Sequence, residues 1–272
     1  MIQRTIPSSG EKIPAIGLGT WQTFDVKNAA DHPGLASVLD EMYTAGGRVI
    51  DSSPMYGRSE AVVGELTAQQ EHANNFFYAT KVWTTGRNEG IRQMETSMQL
   101  MKRNTMDLIQ VHNLVDLPVQ MDTLRNWKQE GRIRYTGVTH YLDSEHAELE
   151  KLIRKEKPDF VQFNYSIFSR NAEKRLLPAA AEVGVATLIN RPLGQGRLFA
   201  TFKNRSIPEW ATAAGINSWA AFFLAYILAD PAVTCAIPAT GDPAHARDDF
   251  RAGSIVIDEK MRKKMSSFID SI

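Results

Sequence analysis

The sequence predicts a closed (β/α)8 barrel, and three observations carry that expectation. Short apolar runs alternate with segments of helical period along nearly the whole chain. Eight such runs stand out: Ala15–Leu18, Arg48–Ser52, Phe76–Lys81, Leu108–His112, Thr136–Thr139, Phe160–Asn164, Ala186–Asn190 and Thr234–Pro238. The length of 272 residues suits eight strand–helix units in a single domain over residues 1–272. Strands buried on both faces read as continuous apolar runs, which implies parallel pairing under a layer of helices. An open doubly wound sheet is the competing architecture, because "GLGTWQ" offers a Gly-x-Gly. Its third glycine would fall at Gln22, and no acidic residue ends a second strand in the way a ribose partner requires.

Taken in order, "IQRTIPSSGEKIPAI" reads as a hairpin around Ser8-Ser9-Gly10, placed to plug the bottom of the barrel. Leu35, Val38, Leu39 and Met42 then fall on one helical face, and Gly46-Gly47 closes that helix. Ser59-Glu60 is expected to open the next helix with a cap and a favourable charge. The stripe Ile91, Met94, Met98 and Met101 reads as core packing. Leu124 and Trp127 precede Gly131, and Leu149, Leu152 and Ile153 follow the candidate caps Asp143 and Ser144. Val183 runs into Gly184 before the next strand. Trp219–Ala229 is the most apolar run, too short for a bilayer and suited to a buried helix. A last helix, Asp258–Ile272, places Met261, Met265 and Phe268 on one face.

Composition excludes several function classes. Lys plus Arg equals Asp plus Glu, 31 each, so no basic excess exists to neutralise nucleic-acid phosphates. One cysteine, Cys235, leaves no disulfide framework and no cysteine-based zinc site, and it reads as a buried apolar side chain. "MIQRTIPSSG" lacks the apolar core of a signal peptide, so a cytoplasmic protein without membrane contact is expected. An exported form trimmed of its signal would read the same way. No apolar stripe is left once the helices dock, which points to a monomer or a weak homo-oligomer.

Active sites of such barrels form at the C-terminal ends of the strands. There the chain places Asp51, Lys81 and His112 on three consecutive strands, then Thr139-His140, Gln162 with Asn164, and Asn190-Arg191. Tyr56 lies on the loop leaving the second strand. Each has an ordinary alternative: a capping aspartate, a solvated lysine, a core histidine. Their joint placement at one end argues for a site.

The four make chemical sense together. An unperturbed tyrosine titrates near ~10 and is a poor proton donor at neutral pH. An ammonium ~4 Å away, at an effective dielectric of ~20, favours the phenolate by about 4 kcal/mol before desolvation is subtracted. Asp51 would hold Lys81 and keep it charged, while His112 could hydrogen-bond a substrate oxygen. A tyrosine so tuned can protonate a carbonyl oxygen as hydride reaches its carbon. The hydride requires a cofactor, since no side chain supplies one. A metal-dependent hydrolase is a rival, but His112 and His140 lack further ligands, so no metal site is expected.

"VIDSSPMYGRSE" closely resembles the signature of the aldo-keto reductase family. "IGLGTW", "ATKVW", "LIQVHN", "GVTHY", "VQFNYS", "RPLGQGRL" and "IPAT" follow in family order, so the likeness covers residues 4–258. The chain is similar to a bacterial-type, short-loop member. The resemblance implies a TIM barrel, a nicotinamide cofactor, and reversible reduction of small aldehydes or ketones. It implies a catalytic tetrad of Asp51, Tyr56, Lys81 and His112, with Tyr56 as the acid. Gly19, Thr20 and Trp21 would line the nicotinamide, with Thr139, His140 and Gln162 around its carboxamide and Asn190 at its stacking face. The loop Arg191, Pro192, Leu193, Gly194, Gln195, Gly196 and Arg197 would wrap the pyrophosphate through N–H groups freed at Gly194 and Gly196. Trp21, Trp83 and Asn113 would border the substrate beside Tyr56 and His112.

Several positions depart from the family pattern. Thr139-His140 replaces a Ser-Asn pair, and Asn190 stands where a stacking tyrosine is frequent, leaving Arg191 to compensate with its planar guanidinium. Asn113 replaces a frequent tryptophan. At the adenosine end Ala239 replaces a lysine, His245 an arginine, and Asp248-Asp249 the Glu-Asn pair that reads adenine, while Thr240 is kept and Arg247 lies nearby. One arginine and one histidine make a weaker anion site than a Lys-Arg pair, so NADPH is expected first and NADH is the alternative. A cofactor-binding regulatory subunit on the same barrel is the rival reading.

Overall fold

Eight short strands run parallel and curl into the barrel, in the chain order that the sequence predicts. The computed structural model describes the backbone of residues 1–272 and every side chain but that of Leu198. A hairpin of β1 (Gln3–Thr5) and β2 (Lys12–Pro14) precedes the barrel strands. These are β3 (Leu18–Gly19), β4 (Val49–Asp51), β5 (Phe77–Val82), β6 (Met106–His112), β7 (Ile133–Thr139), β8 (Phe160–Asn164), β9 (Ala186–Asn190) and β10 (Cys235–Ala236). From β3 to β10 each strand pairs with the next. Closure comes just ahead of β3, where Ile16 bridges Ala236 in parallel and the Gly17 N–H donates to the Ala236 carbonyl at 2.8 Å.

The strands are outnumbered by the helices that cover them: α1 (His32–Thr44), α2 (Ser59–Thr67), α3 (Arg87–Leu100), α4 (Leu117–Gln129), α5 (His146–Glu156) and α6 (Leu176–Val183). Then follow α7 (Arg197–Phe202), α8 (Glu209–Thr212), α9 (Trp219–Leu228), α10 (Pro243–Ala252) and α11 (Glu259–Asp270). The apolar stripe of α1, Leu35, Val38, Leu39 and Met42, is buried as its period requires. In α9 every residue after Trp219 is buried, and Ser218 caps it by accepting the Ala221 N–H. Full burial of each such Phe or Leu contributes about 1.5–3 kcal/mol. No helix among the described residues is long and apolar enough to cross a membrane.

Two of the expected caps act otherwise. Asp143 and Ser144 lie in a 3-10 turn ahead of α5 and donate no cap to it; the Asp143 carboxylate instead accepts from Asn164 and Ser169. Ser59 is already the first residue of α2, and its hydroxyl donates to the Thr20 carbonyl at 3.2 Å. Glu60 is buried, where it accepts from Thr80 and Ser97. Both pairs of residues sit in polar positions that a linear pattern cannot tell from a cap.

Alternation along each strand decides what fills the barrel. The lower layer holds Val49, Phe77, Leu108, Tyr135, Phe160, Ala186 and Cys235, with Ile6 and Ile13 of the hairpin packed into the same cluster. The Ser9 hydroxyl bonds the Tyr135 hydroxyl at 2.8 Å, so the hairpin does plug the barrel bottom. Further up the same strands, one or two inward positions on, the residues become Asp51, Lys81, Gln110, Thr139, Gln162 and Asn190. The parallel register sets Lys81 beside Gln110 and His112 beside Thr139. Gly137 makes room for this layer: a Cβ there would lie 2.7 Å from Gln110 Cγ.

Candidate active site

The inward polar layer is organised around one ion pair. Lys81 Nζ donates to Asp51 Oδ2 at 2.7 Å and to the Ser52 carbonyl at 2.6 Å. Gln110 Nε2 donates to the other Asp51 oxygen at 3.3 Å. The Thr20 hydroxyl bonds the Asp51 carbonyl and the Ser52 hydroxyl, each at 3.0 Å, which ties β3 to the end of β4. Burial alone would weaken the hold of Lys81 on its proton. The Asp51 carboxylate and Tyr56 outweigh it, and the ammonium is held above its ordinary range.

Tyr56 reaches this pair from the turn after β4. Gly57 carries φ +59°, and a Cβ there would collide with the Asp25 carboxylate, which accepts the Arg58 N–H at 2.9 Å. That turn brings the Tyr56 ring over Lys81, whose Nζ lies 4.9 Å from the ring centroid. Burial raises the phenol above its ordinary 10.0, the Lys81 ammonium pulls it down, and the Asp51 charge raises it again. The net direction is upward. The expected depression is therefore reversed, because desolvation of a phenolate here exceeds the attraction of an ammonium already neutralised by Asp51.

His112 ends β6, and its ring meets the Tyr56 ring edge-on at 6.1 Å. Burial first, then the Lys81 charge and His140, lower its pKa to about 3, so the imidazole is neutral at physiological pH. Asn113 and Leu114 follow in left-handed conformation, and the Val115 N–H returns to the His112 carbonyl at 3.2 Å.

These groups open into a cavity of about 530 Å³ at the C-terminal mouth of the barrel. Gly19, Thr20, Trp21, Asp51, Tyr56, His112, Asn113, Thr139, Gln162, Asn190, Arg191, Pro192, Leu193, Gln195, Gly196 and Ala239 all line it. On its floor the Thr139 hydroxyl donates to Gln162 Oε1 at 2.9 Å. Gln162 Nε2 and Asn190 Oδ1 are buried without a partner, one a donor and one an acceptor. Such a pair fits a planar carboxamide, which offers an oxygen and an NH₂.

Other expected residues fall elsewhere. Trp83 is exposed and outside the cavity lining, its backbone held by Gln93. His140 points away and stacks on Tyr141 at 5.4 Å; Tyr141 is the residue of that pair that faces the cavity. The Arg191 guanidinium lies 4.4 Å over the Tyr141 ring, so it stacks on protein. The Gly194 and Gly196 N–H groups close turns onto the Arg191 and Leu193 carbonyls instead of standing free. Arg197 is exposed beside them, at the start of α7.

At the far end, Thr240 accepts the Asp242 N–H at 3.1 Å, and His245 is exposed on α10. Arg247 Nε lies 3.1 Å from both carboxylate oxygens of Glu41 on α1. Asp248 is half-buried. Asp249 is 3 % exposed and turned into the protein, out of reach of a surface ligand.

Sequence reasoning did not single out Ser53, Gln110, Met55, Tyr141 or Phe199. Gln110 could have been found, since it stands two residues before His112 on an alternating strand. Ser53, Met55 and Tyr141 sit on loops, where no period reports direction, and Phe199 lines the cavity from the short helix α7.

Fold and site together define a barrel with an acid–base cluster at its strand ends. The sequence matches the Aldo/keto reductase family over residues 15–270, and the chain belongs to that family of oxidoreductases. It is 29 % identical to methylglyoxal reductase YeaE of Escherichia coli K12, over 92 % of this chain and 89 % of that one. An NADH-specific methylglyoxal reductase of the same organism is 25 % identical over 73 % of this chain and 69 % of its own. Among solved structures, an aldo-keto reductase of Klebsiella pneumoniae in complex with NADPH superposes with a TM-score of 0.84. It is 26 % identical, covering 98 % of this chain and 95 % of that chain.

Proposed function

We propose that the chain, acting as one barrel domain, reduces aldehydes or ketones to alcohols with NADPH, and runs the reverse oxidation of alcohols. The observation that carries this reading is the convergence of Tyr56, the Lys81–Asp51 pair and neutral His112 on one cavity. When bound, NADPH supplies the hydride that reaches the carbonyl carbon.

The side chains have distinct tasks. Gln162 Nε2 and Asn190 Oδ1 hold the nicotinamide carboxamide and set its face, with Thr139 fixing the glutamine. Neutral His112 donates a hydrogen bond to the carbonyl oxygen and orients it toward Tyr56. The Tyr56 hydroxyl gives its proton to that oxygen as the C–H bond forms. The resulting phenolate is stabilised by the Lys81 ammonium, which Asp51 keeps charged and in place. Its proton is then restored from solvent through the cavity.

NADPH is favoured by the NADPH-bound Klebsiella pneumoniae relative, and a methylglyoxal reductase relative supports a small carbonyl substrate. Use of NADH has support from the NADH-specific relative and from Ala239 in place of a cation. The test is loss of NADPH absorbance on adding a nitrobenzaldehyde or another carbonyl of a broad panel. Tight cofactor binding with no turnover across the panel would overturn the reading.

A further inference from the structure

Ser53 lies behind the reacting groups, with its side chain fully buried. Its hydroxyl is 3.1 Å from His112 Nδ1, and it accepts the Met55 N–H at 3.2 Å. We propose that Ser53 is a positioning residue that fixes His112 as the tautomer protonated at Nε2, so that the imidazole presents a donor to the carbonyl oxygen. This rests on the reading of His112 as the group that binds that oxygen.

The direction of the bond follows from counting donors and acceptors. A serine hydroxyl has one hydrogen to give and two lone pairs to receive. One lone pair takes the Met55 N–H. With no exposed surface, the hydroxyl has no water to donate to. Among the described residues its hydrogen-bond partners are the Met55 N–H, a donor, and His112 Nδ1. Only Nδ1 can accept the hydroxyl hydrogen. Were Nδ1 protonated, two donors would meet at the serine and its own hydrogen would be left buried and unpaired.

Protonation state does not blur this choice. His112 is neutral down to about pH 3, so a single ring proton must sit on one nitrogen or the other. Nε2 makes no hydrogen bond to a described residue, while His112 lines the cavity and keeps 7 % of its surface open. The proton is thus placed on the nitrogen left for the substrate. A free imidazole would divide itself between tautomers, and the Nδ1–H form would offer the carbonyl oxygen a lone pair, which repels it.

The motif makes the assignment local. Ser53 follows Asp51 by two residues, so one stretch of chain anchors the lysine with its aspartate and orients the histidine with its serine. The same loop then delivers Tyr56.

The experiment reads the ring directly. Two-bond nitrogen–proton NMR spectra of ¹⁵N-histidine-labelled protein, assigned with His112→Gln, report which nitrogen carries the proton without any turnover. The wild type is expected to show His112 protonated at Nε2. Ser53→Ala should show a mixture, with kcat for carbonyl reduction reduced roughly tenfold, the worth of one buried hydrogen bond. Cofactor affinity should stay unchanged, and Ser53→Thr should restore both signature and kcat. A wild type protonated at Nδ1 overturns the proposal, as does a Ser53→Ala protein with an unchanged signature. If Ser53→Ala misfolds, Ser53→Thr and the wild-type spectrum still decide it. A correct signature in a chain that reduces no carbonyl would instead refute the proposed reaction and leave the tautomer assignment standing.

Discussion

Lys81 Nζ stands 2.7 Å from Asp51 Oδ2, and both side chains are sealed from solvent, at 1 % and 3 % exposure. A charge pair at that depth is costly to build and more costly to break. Replacing one partner leaves the other as an uncompensated buried charge, which destabilises by about 3–5 kcal/mol. Lys81→Met should therefore lower the unfolding free energy in urea by about that amount. The double variant Asp51→Asn/Lys81→Met should recover more than half of it, because no charge is left stranded. Additive losses in the double variant would contradict this.

The rate of carbonyl reduction should be flat through neutral pH. Tyr56 must be protonated to donate, and burial holds its pKa above 10.0, so donation fails only as pH rises beyond that value. His112 titrates at about 3, so no inflection should appear near its ordinary 6.5. Initial rates across pH check both points, and a step near 6.5 that vanishes in His112→Gln would refute the neutral assignment.

Asp249 should respond to pH in the opposite sense from most carboxylates. Burial, and then the neighbouring Asp248, raise it to about 8 from its ordinary 3.8. Between those values the folded chain binds the proton and the unfolded chain does not. The contribution to stability is full below 3.8 and is lost as pH climbs to about 8. Asp249→Asn should then raise the unfolding free energy above pH 8 by on the order of 1–3 kcal/mol and change it little below pH 4. Equal effects at both ends would contradict the shift.

Arg247 lies against Glu41 on the surface, in a pair exposed enough to contribute little to folding. It is thus free to exchange partners at small cost. If it meets the ribose 2′-phosphate, Arg247→Ala should weaken NADPH binding severalfold, about the worth of one charge-assisted hydrogen bond, and spare NADH. Equal loss for both cofactors in a fluorescence titration would refute that role.

The fold was legible because a barrel strand needs only a few apolar residues with a polar end. "VID" and "LIQVH" carry both features, and their polar residues stand at the mouth. The two-residue β3 and β10 were visible as apolar runs alone, without a polar end, and closure runs from Ile16, ahead of β3, to Ala236 within β10. What the sequence concealed depended on direction across space. Period cannot say that Glu60 turns inward to Thr80 and Ser97, or that Tyr141 rather than His140 faces the cavity. Nor could it weigh burial against charge at Tyr56, where the sign of the shift depends on how far Asp51 neutralises Lys81.

The central claim is that the Tyr56 hydroxyl supplies the proton to a carbonyl reduced inside this cavity. It is tested most directly by NADPH oxidation with a nitrobenzaldehyde in the wild type and in Tyr56→Phe, alongside cofactor binding to both. The account predicts turnover in the wild type, a loss of about a hundredfold or more in kcat for the phenylalanine variant, and unchanged cofactor affinity. Equal kcat in the two proteins would contradict it.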